Sequence, residues 1–144
     1  MGTYDELSVG DVFTTPRRRI DASEASELIR IGGYTHQLFT DPAFAASSAF
    51  GRSPLPGQAV LLLMGGLVEQ SGRFDDTVIA LLGFEDVRFM APAFPGDELH
   101  VEVEVVAKEP RSDRGVLTMS WTCRTDRDTV AQATARMLFR TAFG

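Results

Sequence analysis

A chain of 144 residues, 44% hydrophobic and 24% charged, has the composition of one folded domain that buries roughly two thirds of its unfolded surface and needs no metal or disulfide staple. Its formal net charge is −6, and its basic residues are scattered apart from Arg17, Arg18 and Arg19, so no continuous basic face is available for nucleic acid. The single cysteine, Cys123, excludes an internal disulfide and a cysteine-spaced metal cluster.

The stretch from Met1 to Val12 carries acidic residues and no apolar core of signal-peptide length. The most apolar run, Ala59 to Met64, is far too short to span a bilayer. A cytoplasmic protein with no membrane partner is expected, in keeping with the lone cysteine.

Asp21-Ala-Ser-Glu24 has the form of a helix N-terminus, a short polar side chain with Glu three residues on. Apolar residues follow through Leu28, Ile29 and Ile31, and Gly32-Gly33 should stop the helix. Asp41 before Pro42 signals a second helix through Ala43 to Phe50, with Gly51 ending it. Residues 52–57, with Pro54 and Pro56, must be loop. From Gln58 to Gln70 the sequence is apolar around nearly its whole circumference, which predicts a helix buried on all sides.

Three runs then alternate with a period of two: Leu99 to Ala107, Gly115 to Arg124 and Thr129 to Arg140. Leu117, Met119, Trp121 and Cys123 share one face, opposite Thr118, Ser120, Thr122 and Arg124. The turns at residues 113–115 and 126–128 make the three an antiparallel meander, and Thr77 to Met90 adds a strand bent near Gly83. Helices first and a long-stranded antiparallel sheet afterwards is an α+β arrangement.

Three segments, Gly32 to Ala45, Phe50 to Gly72 and Val87 to Val106, resemble the MaoC-like, (R)-specific enoyl-thioester hydratase/dehydratase family. Gly32 to Ala45, GGYTHQLFTDPAFA, is similar to the family's Gly-Asp-x-Asn-Pro-Leu-His-x-Asp-Pro motif, with Gly33, Leu38, Asp41 and Pro42 in register. Phe50 to Gly72 looks like the family's loop and central helix, with Pro56-Gly57 where a His-Gly pair commonly stands. Val87 to Val106 is similar to the strand pair with its Pro-Gly-Asp turn. The resemblance implies a single hot-dog domain over 1–144, a curled antiparallel sheet wrapped around a buried central helix. It also implies an acyl thioester of coenzyme A or acyl carrier protein as substrate, with the coenzyme A or phosphopantetheine arriving as part of that substrate and no separate cofactor.

Adding water to an enoyl thioester, or removing it, requires a base near the water oxygen, an acid near the α-carbon, and donors on the thioester carbonyl. The family uses an Asp and a His five residues later. The ungapped register puts Tyr34 and Phe39 at those positions, and phenylalanine has no exchangeable proton. His36, two residues from Tyr34, makes a Tyr34/His36 pair the obvious substitute acid/base set. Alternatively, His36 hydrogen-bonds backbone and Tyr34 fills the space of the lost Asp. Asp41 reads first as a helix cap. The carbonyl donor is Gly57, whose free amide opens the central helix, and Pro56, Gln58 and Phe39 are its expected neighbours in substrate binding.

Other groups fit structural roles. Arg17 to Arg19 suit a solvated edge, or the phosphates of coenzyme A, and His100 a surface or dimer edge. Trp121 and the phenylalanines at 84, 89, 94 and 139 could line an acyl tunnel, but at strand spacing they suit plain core. The function expected is therefore hydration, dehydration or a related proton shift such as isomerisation or ring closure, in an altered active site. A non-catalytic partner in a heteromer with an intact MaoC-like subunit is the alternative, and a thioesterase using Glu69 comes third. Because one sheet edge of a hot-dog protomer is exposed, a homodimer or larger even assembly is expected.

Overall fold

The computed structural model describes residues 4–74 and 77–141; the outer ends of the expected 1–144 domain, residues 1–3 and 142–144, lie outside the described residues, as do residues 75–76. Two short strands come first, β1 (Val12–Thr14) and β2 (Arg18–Arg19), followed by the helices α1 (Ala22–Gly32), α2 (Gln37–Thr40), α3 (Pro42–Ala46) and α4 (Gly57–Gln70). The long strands β3 (Val78–Phe89), β4 (Glu98–Arg111), β5 (Arg114–Arg124) and β6 (Thr129–Arg140) complete the chain. All pairings are antiparallel, in the order β1-β4-β5-β6-β3, with β2 also on β4. This is the expected α+β arrangement, a curled sheet packed around one central helix.

The alternation read from the sequence sets the two faces of the sheet. Leu99, Val101, Val103 and Val105 of β4 and Leu117, Met119, Trp121 and Cys123 of β5 are all buried, together with Ala131, Ala133, Ala135 and Phe139 of β6. Against this face α4 lays Val60, Leu63, Met64, Leu67 and Val68, and burying each such side chain contributes roughly 1.5–3 kcal/mol. The bend expected near Gly83 is a register shift between Leu81 and Gly83 where β3 pairs with β6.

Helix α1 forms as its signals predict. The Asp21 side chain accepts from Glu24 N while the Glu24 side chain accepts from Asp21 N, and Gly33 closes the helix at φ 74°. The second expected helix is shorter than Ala43 to Phe50. It ends at Ala46 because the Ser47 and Ser48 hydroxyls donate to the carbonyls of Phe44 and Ala45, competing with further helical hydrogen bonds.

The central helix also departs from expectation, because the chain does not bury it on all sides. Gln58, Leu62 and Glu69 are exposed and Leu61, Gly65 and Gly66 half-buried, which leaves one continuous stripe open. An apolar circumference registers every surface that avoids water, and cannot distinguish burial by the chain's own sheet from cover supplied by a ligand or a second subunit. Beside the stripe runs β3, a sheet edge with Val78, Ile79, Leu81 and Leu82 exposed. Among the described residues no helix is long and apolar enough to cross a membrane.

Candidate functional site

The segment between α1 and α4 brings the candidate residues to the start of α4. His36 sits at the N-terminus of α2, where its Nδ1 accepts from Leu38 N at 3.0 Å and its ring meets Phe44 edge-on, with centroids 5.8 Å apart. The histidine is exposed, and its contacts are those of a cap. Tyr34 turns the other way. Its ring contacts Phe39 edge-on at 5.4 Å, and its hydroxyl donates to Gln58 Oε1 at 3.1 Å. Gly32 makes room for that ring, since a Cβ there would stand 2.7 Å from Tyr34 Cε2. The structure thus brings Tyr34, Phe39, Gly57 and Gln58 together, while His36 is engaged with Leu38 and Phe44.

Asp41 is a cap, as expected, its Oδ1 accepting from Ala43 N at 3.0 Å and Phe44 N at 3.4 Å. The loop before α4 is fixed by Leu55, whose N donates to Ala93 O at 2.7 Å, and by Arg52, whose guanidinium lies 4.1 Å from the Phe94 ring centroid. Pro56 offers no side-chain cap. Its carbonyl accepts from Ala59 N and Val60 N, so the amides of Gly57 and Gln58 have no acceptor among the described residues. Two free N–H groups at a helix start, aided by the helix dipole, form a site for a polarised carbonyl or an anion. A Cβ at position 57 would stand 3.1 Å from the Phe89 ring, so glycine lets that ring pack closely against the helix start.

Two cavities take lining residues from this helix start, the larger Gln58 and the smaller Pro56 and Gly57. The larger, about 840 Å³, is a trough along the open stripe of α4, with Gln58 at one end, Glu69 towards the other, and Leu62, Gly65, Phe84 and Trp121 between. The smaller, about 330 Å³, is lined by Phe39, Pro56, Gly57, Phe89, Val130 and other apolar residues, with no polar side chain in its wall. Sequence reasoning placed Gly57 and Gln58 near the substrate but missed the Tyr34–Gln58 hydrogen bond and this second cavity. A lone polar residue beginning an otherwise apolar helix was the available signal.

The remaining candidates lie elsewhere. Arg17 pairs with Glu98 and Asp126, Arg18 with Glu24, and Arg19 with Glu98, so each of the three guanidiniums has an acidic partner. His100, expected at a surface or dimer edge, is half-buried facing Arg124 across β4 and β5, and its enclosed Nδ1 has no hydrogen-bond partner among the described residues. Burial, then Arg17 and Arg124, lower its pKa, outweighing Asp126 and Glu102. Phe139 is core, as expected, but Phe84 and Trp121 also line the larger cavity and Phe89 the smaller. Among the described residues no group of three or more His, Cys, Asp or Glu is placed to hold a metal ion.

Residues 9–123 match the MaoC like domain. The chain belongs to the MaoC-like domain family. The (R)-specific enoyl-CoA hydratase of Aeromonas caviae is 33% identical over 103 residues, which are 72% of this chain and 73% of that protein. Protein MaoC of Klebsiella aerogenes is 29% identical over 111 residues, 77% of this chain, and the chain spans only 32% of that relative's length. The crystal structure of a MaoC-like dehydratase from Rhodospirillum rubrum superposes with a TM-score of 0.83 at 29% identity, covering 95% of this chain and 96% of that one. Within this MaoC-like domain the helix start keeps its free amides, and the cavity wall next to it carries Phe39.

Proposed function

We propose that this MaoC-like chain binds an acyl thioester of coenzyme A or acyl carrier protein and acts on it by dehydration, hydration or the related proton shift, with Tyr34 in place of the family's Asp and His. The observation that carries this reading is the pair of free amides on Gly57 and Gln58 at a helix start that lines two cavities, the smaller through Gly57 and the larger through Gln58. A thioester oxygen seated there gains donors that strengthen as enolate charge develops, without any titratable group.

Tyr34 is brought to the helix start by the hydrogen bond its hydroxyl donates to Gln58 Oε1. In dehydration it would hand its proton to the departing C3 oxygen and recover one from the α-carbon. Water leaves, the double bond forms, and the side chain ends as it began. A thioesterase reading is disfavoured because Glu69 lies eleven residues further along α4 from Gln58, about 16 Å at the helical rise.

A second reading is supported by the open stripe of α4 beside the exposed β3 edge. The chain would then be the binding partner of a MaoC-like subunit with an intact Asp and His, or of a second copy of itself. Crotonyl-CoA turnover, followed through the enoyl absorbance, tests both readings. Activity that is lost in Tyr34→Phe but survives in His36→Ala supports the first. Thioester binding without turnover moves the assignment to the partner role.

A further inference from the structure

Trp121 is the chain's one tryptophan, and its side chain belongs to the inner face of β5, in the core that α4 joins. It lines the larger cavity with only 3% of its surface exposed, and its indole Nε1 is buried without a hydrogen-bond partner among the described residues. A buried N–H without an acceptor is costly, and native folds contain few of them. The strand that carries the indole is firmly held, because Trp121 pairs with Val103 on one side and Ala133 on the other. The Phe84 ring stands edge-on to the indole, with centroids 5.3 Å apart. Phe84 lies on the edge strand β3 between two register shifts, Leu81/Gly83 and Glu85/Arg88, so its stretch of the ladder is interrupted on both sides.

We propose that Trp121 Nε1 is a specificity-determining donor in the wall of the larger cavity, and that it selects acyl groups with an oxygen acceptor in mid-chain, beyond the carbons that react. This rests on the thioester-binding reading above. An acyl chain running from the start of α4 along the trough passes the indole, and the enclosed N–H receives the oxygen as the Phe84 ring yields. The indole N–H only donates, and a carbonyl or ether oxygen only accepts, so each satisfies the other. A hydroxyl would bring a proton for which the neighbouring Leu61, Phe84 and Met137 side chains offer no strong acceptor. A carboxylate is disfavoured by the apolar lining and by Glu69 in the same wall.

The test uses octanoyl-CoA, 5-oxooctanoyl-CoA and 7-oxooctanoyl-CoA with the full chain and with Trp121→Phe, whose fold is checked by thermal unfolding. Equilibrium affinities are measured for both proteins, and in wild type the emission of the single tryptophan is followed as well. Wild type should bind one of the oxo ligands about tenfold more tightly than octanoyl-CoA, the worth of supplying a buried donor with its acceptor. That ligand should also shift the emission to the red relative to octanoyl-CoA, as a hydrogen bond from the indole does. In Trp121→Phe the affinity ratio should fall to about one while octanoyl-CoA still binds. If the variant does not fold, the wild-type affinities and emission decide the matter alone. Equal affinities in wild type, an unshifted emission, or a preference that persists in Trp121→Phe each overturn the role of Trp121 and leave thioester binding in place. Failure of all three ligands to bind overturns the thioester reading and this inference with it.

Discussion

Arg127 grips Asp97 with both terminal nitrogens: Nη1 donates to Oδ1 and Nη2 to Oδ2, each at 2.9 Å, across the gap between the β3–β4 connection and the β5–β6 turn. Asp97 Oδ2 also accepts from Phe94 N at 2.8 Å, and Phe94 is the ring beneath Arg52 in the loop that leads to α4. The carboxylate thus links the β5–β6 turn, the β3–β4 connection and the approach to the candidate site. Burial alone would raise its pKa, but the hydrogen bonds from Arg127 and Phe94, with the charges of Arg127 and Arg52, lower it.

A carboxylate with a depressed folded pKa contributes stability above the unfolded value, near pH 4, and loses it as pH falls through the folded value. Asp97→Asn keeps the acceptor for Phe94 N but removes the charge. It should lower Tm by roughly 5 °C at pH 7 and flatten the acid limb of stability against pH below about pH 5. Thermal scans of both proteins from pH 7 to pH 3 check this. Parallel curves would show that Asp97 carries no pH-linked stability.

His100 provides a second, separate pH dependence. Burial and its arginine neighbours favour the neutral imidazole in the fold, so the unfolded chain takes up a proton first as pH falls past about 6.5. The sign makes this stability complete above the unfolded value and progressively lost below it, through the lower folded value. His100→Asn should therefore reduce the decline in Tm between pH 7 and pH 5.5 relative to wild type. An unchanged slope would locate that decline in other groups.

Legibility in the sequence followed the range of the physics. The capping box at Asp21 and Glu24 and the alternation in β4, β5 and β6 are local patterns, and the structure shows all of them. Strands β1 and β2 escaped notice because three and two residues cannot display a period; their pairing depends on β4, some eighty to ninety residues away. The Asp41 cap was legible for the same local reason as α1. At the site, Gly57 and Gln58 followed from helix-start logic. Whether Tyr34 or His36 faces them depended on the turn between α1 and α2, where a Leu38 amide captures the imidazole.

Cys123 should be chemically silent in the fold. It is fully buried, and burial pushes its thiol pKa up to about 12, so the thiolate that alkylating agents require is scarce. Iodoacetamide at pH 8 should leave the native protein unlabelled and modify one cysteine per chain after denaturation. Rapid labelling of the native protein would show that β5 opens far more readily than its packing implies.

Gly65 and Gly66 lie in the middle of α4, where each costs about 1 kcal/mol of helix stability relative to alanine. No outside atom lies within 4 Å of where either Cβ would stand, so packing inside the protomer does not require them, and both line the larger cavity. Gly65→Ala should raise Tm by about 3 °C, because the added methyl meets open space. The same methyl narrows the trough, so affinity for long-chain acyl thioesters should fall while that for short ones is kept. Thermal unfolding beside binding of butyryl-CoA and dodecanoyl-CoA separates these effects. A gain in Tm with both affinities unchanged would show that the bare wall of α4 does not contact the acyl chain.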